Sequence, residues 1–298
     1  MTAHAPPQRY AQDDGRMHLA TITEQSREIP VVVDPDRGVV PASVLDPGAT
    51  GDLLDLIRGG RVEALTAAAA GAPDAAFRLR DQVTFTAPYR HPRLIWGIGL
   101  NYVDHATDLS EVVPDEPASI IKGDHTVIGP GEPIPVPPQS ERTTSEAEHG
   151  LVIGRDCRDV SEDEALDHLL GVCPVLDQTA EDILQRNPRF LTRSKNFPGF
   201  FSFGPEIVPL AEVVARAGRL GDVEVSTVVN DREHRSNTVA RMRFSPAYLI
   251  SFHSRVMPLY PGDIISPGTP GAIHVRPGDV VEARIPGVGT LRNHVVQG

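Results

Sequence analysis

Two carboxylates stand two residues apart in Ser145-Glu146-Ala147-Glu148-His149-Gly150-Leu151-Val152-Ile153-Gly154, just ahead of an apolar run. That run reads as a buried strand, because β-branched side chains suit a packed, pleated surface. Alternate residues of an extended chain share a face about 6.6 Å apart. Glu146 and Glu148 therefore repel each other unless something offsets their charge. Asp177, which ends Val172-Cys173-Pro174-Val175-Leu176, is a third acid in a comparable setting. Three oxygen donors on neighbouring strand ends suit a hard cation such as Mg²⁺ or Mn²⁺. The same spacing also describes a solvated strand edge and a capped turn, and spacing alone leaves both readings open.

A second group lies in Gly99-Leu100-Asn101-Tyr102-Val103-Asp104-His105-Ala106-Thr107-Asp108. If the segment turns helical, His105 and Asp108 face each other at i, i+3. An acid set against an imidazole raises its basicity, as activating a water molecule requires. A solvated loop histidine is the alternative. Other kinds of site are missing: there is no G-x-x-x-x-G-K-[ST] phosphate loop, no G-x-S-x-G elbow and no His/Cys zinc spacing. Gly97-Ile98-Gly99 lacks the third glycine of a dinucleotide fingerprint. His149 points to the face opposite Glu148, His253 falls inside a predicted helix, and Lys122 reads equally as a snorkelling surface residue. Cys157 and Cys173 have no basic neighbour that would make a reactive thiolate.

The elements that must hold these residues are mostly short strands. The chain has 298 residues with 26 glycines and 28 prolines, which favours turns and strands over a helical bundle. Val31-Val32-Val33 and Val39-Val40 predict strands around the turn Asp34-Pro35-Asp36-Arg37-Gly38. Leu53, Leu54 and Ile57 predict one helix and an alanine-rich stretch at 61–70 another. Ser161-Glu162-Asp163-Glu164 opens a helix carrying Leu166, Leu169 and Leu170. Val223, Val225, Thr227 and Val229 alternate with polar residues as a half-buried strand, and Ser245-Pro246 starts a helix. A formal charge of −12 argues against nucleic acid and anionic membranes as partners. Two cysteines, no apolar leader and no apolar run of membrane-spanning length point to a cytoplasmic protein.

Set in order, several stretches carry a resemblance. They are Ile98-Gly99-Leu100-Asn101-Tyr102 with His105, Glu146-x-Glu148 before Leu151-Val152-Ile153-Gly154, Leu176-Asp177-Gln178-Thr179-Ala180 and Ser194-Lys195 with Gly204-Pro205. Val229-Asn230, Pro261-Gly262-Asp263-Ile264-Ile265 and Gly268-Thr269-Pro270 complete the series. In this order they resemble the fumarylacetoacetate hydrolase family across residues 90–298. The resemblance implies an α+β, mostly β fold. A mixed β-roll, like a flattened barrel, forms a catalytic domain over residues 89–298 behind a small N-terminal α/β module over residues 1–88, usually as a homodimer.

The resemblance also implies that Glu146, Glu148 and Asp177 bind a divalent metal, usually Mg²⁺, with Mn²⁺ or Ca²⁺ as alternatives. Lys195 would sit beside it, and Tyr102, Gly268 and Thr269 would line the substrate pocket. His105 and Asp108 match a lid dyad written His-x-x-Glu in many relatives, here one methylene, or about 1.5 Å, shorter. The implied activity is Mg²⁺-dependent hydrolysis of a C–C bond in a 2,4-dioxo acid, a small anionic 2-oxo acid substrate. Isomerisation or decarboxylation of a 2-hydroxymuconate-type or 2-oxo acid would use the same chemistry, and a catalytically silent binding protein is a third reading. The sequence also departs from the family. Relatives carry an arginine four residues after the metal aspartate and a glutamine seven after it, where this chain has Glu181 and Leu184. That exchange reverses the charge offered to an anionic group. Arg186 and Arg193 are the nearby cations the sequence offers instead, and Ser266-Pro267 replaces the family's threonine-glycine.

Overall fold

Runs of β-branched residues set the first sheet of the computed structural model, which describes residues 16–102 and 114–298. Strands β1 (His18–Glu24), β2 (Arg27–Asp34) and β3 (Gly38–Pro41) form an antiparallel meander, and β4 (Thr84–Phe85) pairs with β1. The β2–β3 turn falls where the sequence places it. Asp34 Oδ1 accepts from the backbone N–H groups of Asp36 at 2.9 Å and Arg37 at 3.1 Å, and Gly38 takes φ +108°. Helices Leu53–Arg58 and Val62–Gly71 pack on this sheet, the first opened by a capping box between Asp52 and Asp55. The sequence did not signal β1. Leu19, Ala20, Thr21 and Ile22 are all buried, so the polar alternation that marks a half-buried strand is absent.

The second sheet runs in the order β6 (Ala118–Lys122), β5 (Ile95–Gly99), β15 (Ile264–Ser266), β9 (Thr143–Ile153), β10 (Leu169–Ala180), β11 (Phe201–Phe203) and β7 (Val127–Ile128). The short β16 (Ile273–His274) joins the far end of β9. The third sheet has the order β14 (Arg232–Thr238), β13 (Glu224–Val229), β17 (Val280–Ile285), β18 (Gly289–Gln297) and β8 (Ile134–Val136). One more strand, β12 (Glu206–Ile207), pairs with β1 and so ties the first sheet to later sequence. The architecture is a mixed α+β fold dominated by curled sheets.

The second sheet is buried on both faces. Ala147, Leu151, Val172 and Leu176 point toward Val225, Val281, Ala283 and Leu291 of the third sheet. Val152, Cys173, Val175 and Ile264 point the other way, under Leu19, Val32, Leu53 and Ile57. Every residue of β9 is buried. Its two glutamates are therefore largely shielded from bulk water, and buried charges without partners cost several kcal/mol each.

Two expectations change in detail. The helix opened by Ser161 ends at Ala165, and Leu169 and Leu170 begin β10, because Leu169 pairs with Ile153 of β9. Ser226 of β13 is buried and bonds Ser236 of β14 at 3.0 Å rather than facing solvent. The helix at Ser245-Pro246 forms as the spacing predicts, over Pro246–Val256, with Ser245 Oγ accepting from Tyr248 N at 3.1 Å.

A buried ionic network fastens β1 to later sequence. His18 Nδ1 meets Glu206 Oε2 at 2.6 Å and its Nε2 meets Glu212 Oε2 at 2.9 Å. Arg80 and Arg216 pair with the other oxygens of the same carboxylates. Replacing His18 with alanine leaves both carboxylates short of a donor, so His18→Ala should lower unfolding free energy by about 3–5 kcal/mol in urea titrations. An unchanged midpoint would remove the network from the account of stability.

Glu206 gives the pH dependence. Burial pushes its carboxyl up, but bonds from His18 and Arg80 outweigh that and hold it below its ordinary value of 4.5. A depressed folded-state pKa stabilises the fold above the unfolded value, and the contribution is lost as pH falls through the folded one. The stability gap between the protein and Glu206→Gln should therefore close as the medium is acidified below about pH 4.5.

Candidate metal centre

Strands β9 and β10 are antiparallel neighbours, with Glu146 opposite Asp177 and Glu148 opposite Val175. Residues two apart on β9 share a face, and a directly opposed residue on β10 shares it too. This register brings Glu146, Glu148 and Asp177 together, with one oxygen of each within 4.8 Å of the others. All three are buried.

Two lysines approach from outside the pair of strands. Lys195 ends helix Leu191–Lys195, and its Nζ donates to Asp177 Oδ2 at 2.7 Å and to Glu146 Oε2 at 3.0 Å. Lys122 ends β6 and donates to Asp177 Oδ1. A surface role for Lys122 is thereby corrected. Its side chain is wholly buried, because strand alternation sets it on the same inward face as Ile120. Thr179 Oγ1 donates to Glu146 Oε1 at 2.7 Å. Ser266 Oγ and the Gly268 N–H both donate to Glu148 Oε2, at 2.6 and 2.8 Å, leaving Oε1 without a described donor.

Three acids share the site with two lysines, which bond Asp177 and Glu146 but not Glu148. Burial, then the charge of Asp177, pushes the Glu148 carboxyl up to about 8. Burial also works against Asp177, but Lys122 and Lys195 outweigh it and keep that carboxyl below its ordinary value. Burial would lower the Lys195 ammonium, yet Asp177, Glu146 and Glu148 hold it above its usual range. For Lys122 burial wins over Asp177 and pulls the ammonium down. An all-oxygen donor set of three clustered, buried acids fits a hard divalent cation.

Asn101 connects the two glycine-bearing motifs. Its Nδ2 donates to Pro267 O at 2.7 Å and to Phe244 O at 3.0 Å, and its Oδ1 accepts from Phe244 N at 2.8 Å. Leu100, just before it, takes φ 55°, a left-handed conformation that costs a non-glycine residue strain. Gly268 takes φ +107°, and a side chain there would strike the Asn101 Cβ. The Gly268 turn is thus pinned against Asn101, which aims the Gly268 N–H at Glu148. Tyr102 is buried, and its hydroxyl has no partner among the described residues. Burial, then the charge of Glu148, pushes that phenol up. Thr269 is buried beside the turn, its Oγ1 3.3 Å from Gly271 O.

Of the residues read from sequence, Glu146, Glu148, Asp177, Lys195 and the Gly268 turn come together, with Tyr102 close enough to feel Glu148. His105 and Asp108 lie outside the described residues. His149 packs into the apolar layer with both ring nitrogens unpartnered, and burial pulls its pKa down to about 3. Glu181 pairs with Arg142, and Arg186 with Asp182. Sequence reasoning missed Thr179, Ser266 and Asn101 as supports. Thr179 lies two residues after Asp177 on the same face, a signal open to the E-x-E argument. A cleft of about 700 Å³ beside helix Val62–Gly71 is lined by Leu19, Ile57, Leu170 and Leu210 and holds none of the acidic triad.

The fold and this donor set define a metal-assisted class of enzyme acting on small acidic metabolites. The chain belongs to the fumarylacetoacetate hydrolase family: residues 94–296 match the model of the fumarylacetoacetate (FAA) hydrolase C-terminal region. It is 32% identical over 289 residues to 2,4-didehydro-3-deoxy-L-rhamnonate hydrolase of Sphingomonas sp. (strain SKA58), covering 94% of this chain and 96% of that one. It is 27% identical over 304 residues to the mitochondrial oxaloacetate tautomerase fahd2 of Xenopus laevis, covering 97% and 94%. The crystal structure of maleylpyruvate hydrolase from Sphingobium sp. SYK-6, in complex with manganese(II) and pyruvate, is similar with a TM-score of 0.76 and 26% identity. That match covers 95% of this chain and 100% of the other. Among the described residues, no helix is long and apolar enough to cross a membrane.

Proposed function

We propose that the protein is a divalent-metal-dependent hydrolase that cleaves a C–C bond in a 2,4-dioxo acid of the acylpyruvate type. The observation that carries this reading is the buried triad Glu146, Glu148 and Asp177, with Lys195 bonded to two of its members. Those three carboxylates would hold Mg²⁺, or Mn²⁺ or Ca²⁺ in its place. When bound, the cation supplies Lewis acidity and a template for an anionic 2-oxo acid.

The chain's own residues do the rest. His105, oriented by Asp108, takes a proton from water, whose oxygen attacks the distal carbonyl carbon. The bond between that carbon and C3 then breaks, its electron pair passing to C3 as an enolate that is protonated to the 2-oxo acid, while the acyl half leaves as a carboxylic acid. The Lys195 ammonium offsets the negative charge that develops. The Tyr102 hydroxyl and Thr269 line the substrate's approach. Gly268 acts indirectly, because its N–H is committed to Glu148. A homodimer in the cytoplasm is part of the same proposal.

A second reading is tautomerisation or decarboxylation of an oxaloacetate-like acid. The oxaloacetate tautomerase among the relatives favours it, and it needs no attacking water. Turnover of acylpyruvates, oxaloacetate and 2-hydroxymuconates, each with and without chelator, separates the two. Chelator-sensitive release of pyruvate from an acylpyruvate is the expected result. Turnover of oxaloacetate alone would replace the first reading by the second, and full activity in chelator would end both.

A further inference from the structure

Ser266 ends β15 and is wholly buried. Its neighbours on both adjoining strands are glycines. Parallel pairing sets it opposite Gly97 of β5. On the other side β15 runs antiparallel to β9, Ile264 with Val152 and Ile265 with Leu151, and the next step of that register meets Gly150. Neither glycine has a side chain, so the serine hydroxyl has room to reach Glu148, which shares a strand face with Gly150. Pro267 follows, and a proline restricts the residue before it to extended backbone. That holds Ser266 in strand geometry up to the Gly268 turn, which Asn101 pins through Pro267 O at 2.7 Å.

The hydroxyl and the Gly268 N–H end on one atom. Both donate to Glu148 Oε2, at 2.6 and 2.8 Å, and a carboxylate oxygen offers about two lone-pair sites. Oε2 is thereby filled, and Oε1 is the oxygen without a donor among the described residues. The other two acids are held differently. Thr179 and Lys195 donate to separate oxygens of Glu146, and Lys122 and Lys195 to separate oxygens of Asp177. Their donors are spread over both oxygens, whereas those of Glu148 are gathered on one. A carboxylate with one oxygen to give suits the octahedral ions Mg²⁺ and Mn²⁺. Ca²⁺ takes about six to eight oxygens and often draws two from a single carboxylate.

We propose that Ser266 is a positioning residue of the metal centre: by filling Glu148 Oε2 together with the Gly268 N–H, it leaves that glutamate one oxygen for the cation and so sets the site against Ca²⁺. This rests on the reading that the triad holds a divalent cation. It also gives a role to Ser266-Pro267, where the sequence departs from the family pattern. The serine supplies the hydroxyl, and the proline fixes the backbone that aims it.

Calorimetric titration of the full-length, chelator-treated protein with Mn²⁺ and with Ca²⁺ tests the proposal. The native protein should bind Mn²⁺ more tightly. Ser266→Ala opens a lone pair on Oε2 and lets Glu148 offer both oxygens. Mn²⁺ affinity should then fall about tenfold, the lower end of what a residue that orients a metal ligand contributes. Ca²⁺ affinity should stay within about twofold of native or rise. Ser266→Thr keeps the hydroxyl, and the ratio of the two affinities should stay within about twofold of native. Equal changes for both ions in Ser266→Ala, or none, would overturn the proposal. So would a native protein that binds Ca²⁺ as tightly as Mn²⁺, or a Ser266→Thr variant that loses the native ratio. If Mn²⁺ does not bind the native protein at all, the triad reading fails first and this one with it.

Discussion

Asp177→Asn and Glu148→Gln are expected to lose the metal alike and to move the metal-free protein's stability in opposite directions. Both remove an oxygen charge from the triad, and affinity for Mn²⁺ should fall by at least about a hundredfold, since changes further from a metal already cost up to that. The stability effects differ because the carboxylates have different partners. Asp177 accepts from Lys122 and Lys195, and asparagine leaves Lys122 buried without its counter-charge. Breaking a buried pair in this way costs about 3–5 kcal/mol.

Among the described residues, Glu148 has no lysine bonded to it, only Ser266 and the Gly268 N–H. A glutamine carbonyl can accept both of those bonds. The Glu148 carboxyl is raised from 4.5 to about 8 by burial and Asp177. A raised carboxyl pKa means the folded state holds a proton that the unfolded chain has released, so stability falls as pH rises from about 4.5 to about 8. Glu148→Gln escapes that loss, and its advantage in urea midpoint over the chelated native protein should grow across this interval. Equal shifts in the two variants, or native Mn²⁺ affinity in either, would contradict the assignment of the triad.

His105→Ala carries the second large effect. As general base for water, His105 should contribute about 10²–10⁴ in kcat on an acylpyruvate, with KM little changed. Mn²⁺ affinity should stay native, because the three carboxylates are untouched. The variant also divides the two reactions. Hydrolysis needs the base, whereas enolisation of oxaloacetate at the same triad does not need a water nucleophile. Loss of acylpyruvate cleavage with tautomerisation preserved would show both reactions at one site. Native cleavage by His105→Ala would remove His105 and Asp108 from the mechanism.

The acidic pair was legible in the sequence because strand geometry makes i and i+2 neighbours whatever surrounds them. Asp177 was legible as an acid after an apolar run, but its position opposite Glu146 is a matter of register that no local pattern prints. Lys122 was ambiguous for the same reason. An isolated lysine at a strand end reads as surface until β6 is seen to lie in the same sheet with its inward face toward Asp177. The helices at Leu53–Arg58 and Pro246–Val256 follow from local caps and spacing. β1 did not, because a strand buried on both faces loses the alternation that announces it. Arg142 was invisible as a partner of Glu181, since their pairing depends on the ends of β9 and β10 meeting.

The most direct measurement is an anomalous difference map from crystals soaked in Mn²⁺ after chelation. A single strong peak bonded to oxygens of Glu146, Glu148 and Asp177, absent in Glu148→Gln crystals, is the predicted result. A map with no manganese there, and Lys195 still bonded to Asp177 and Glu146 as the only cation among them, would contradict it.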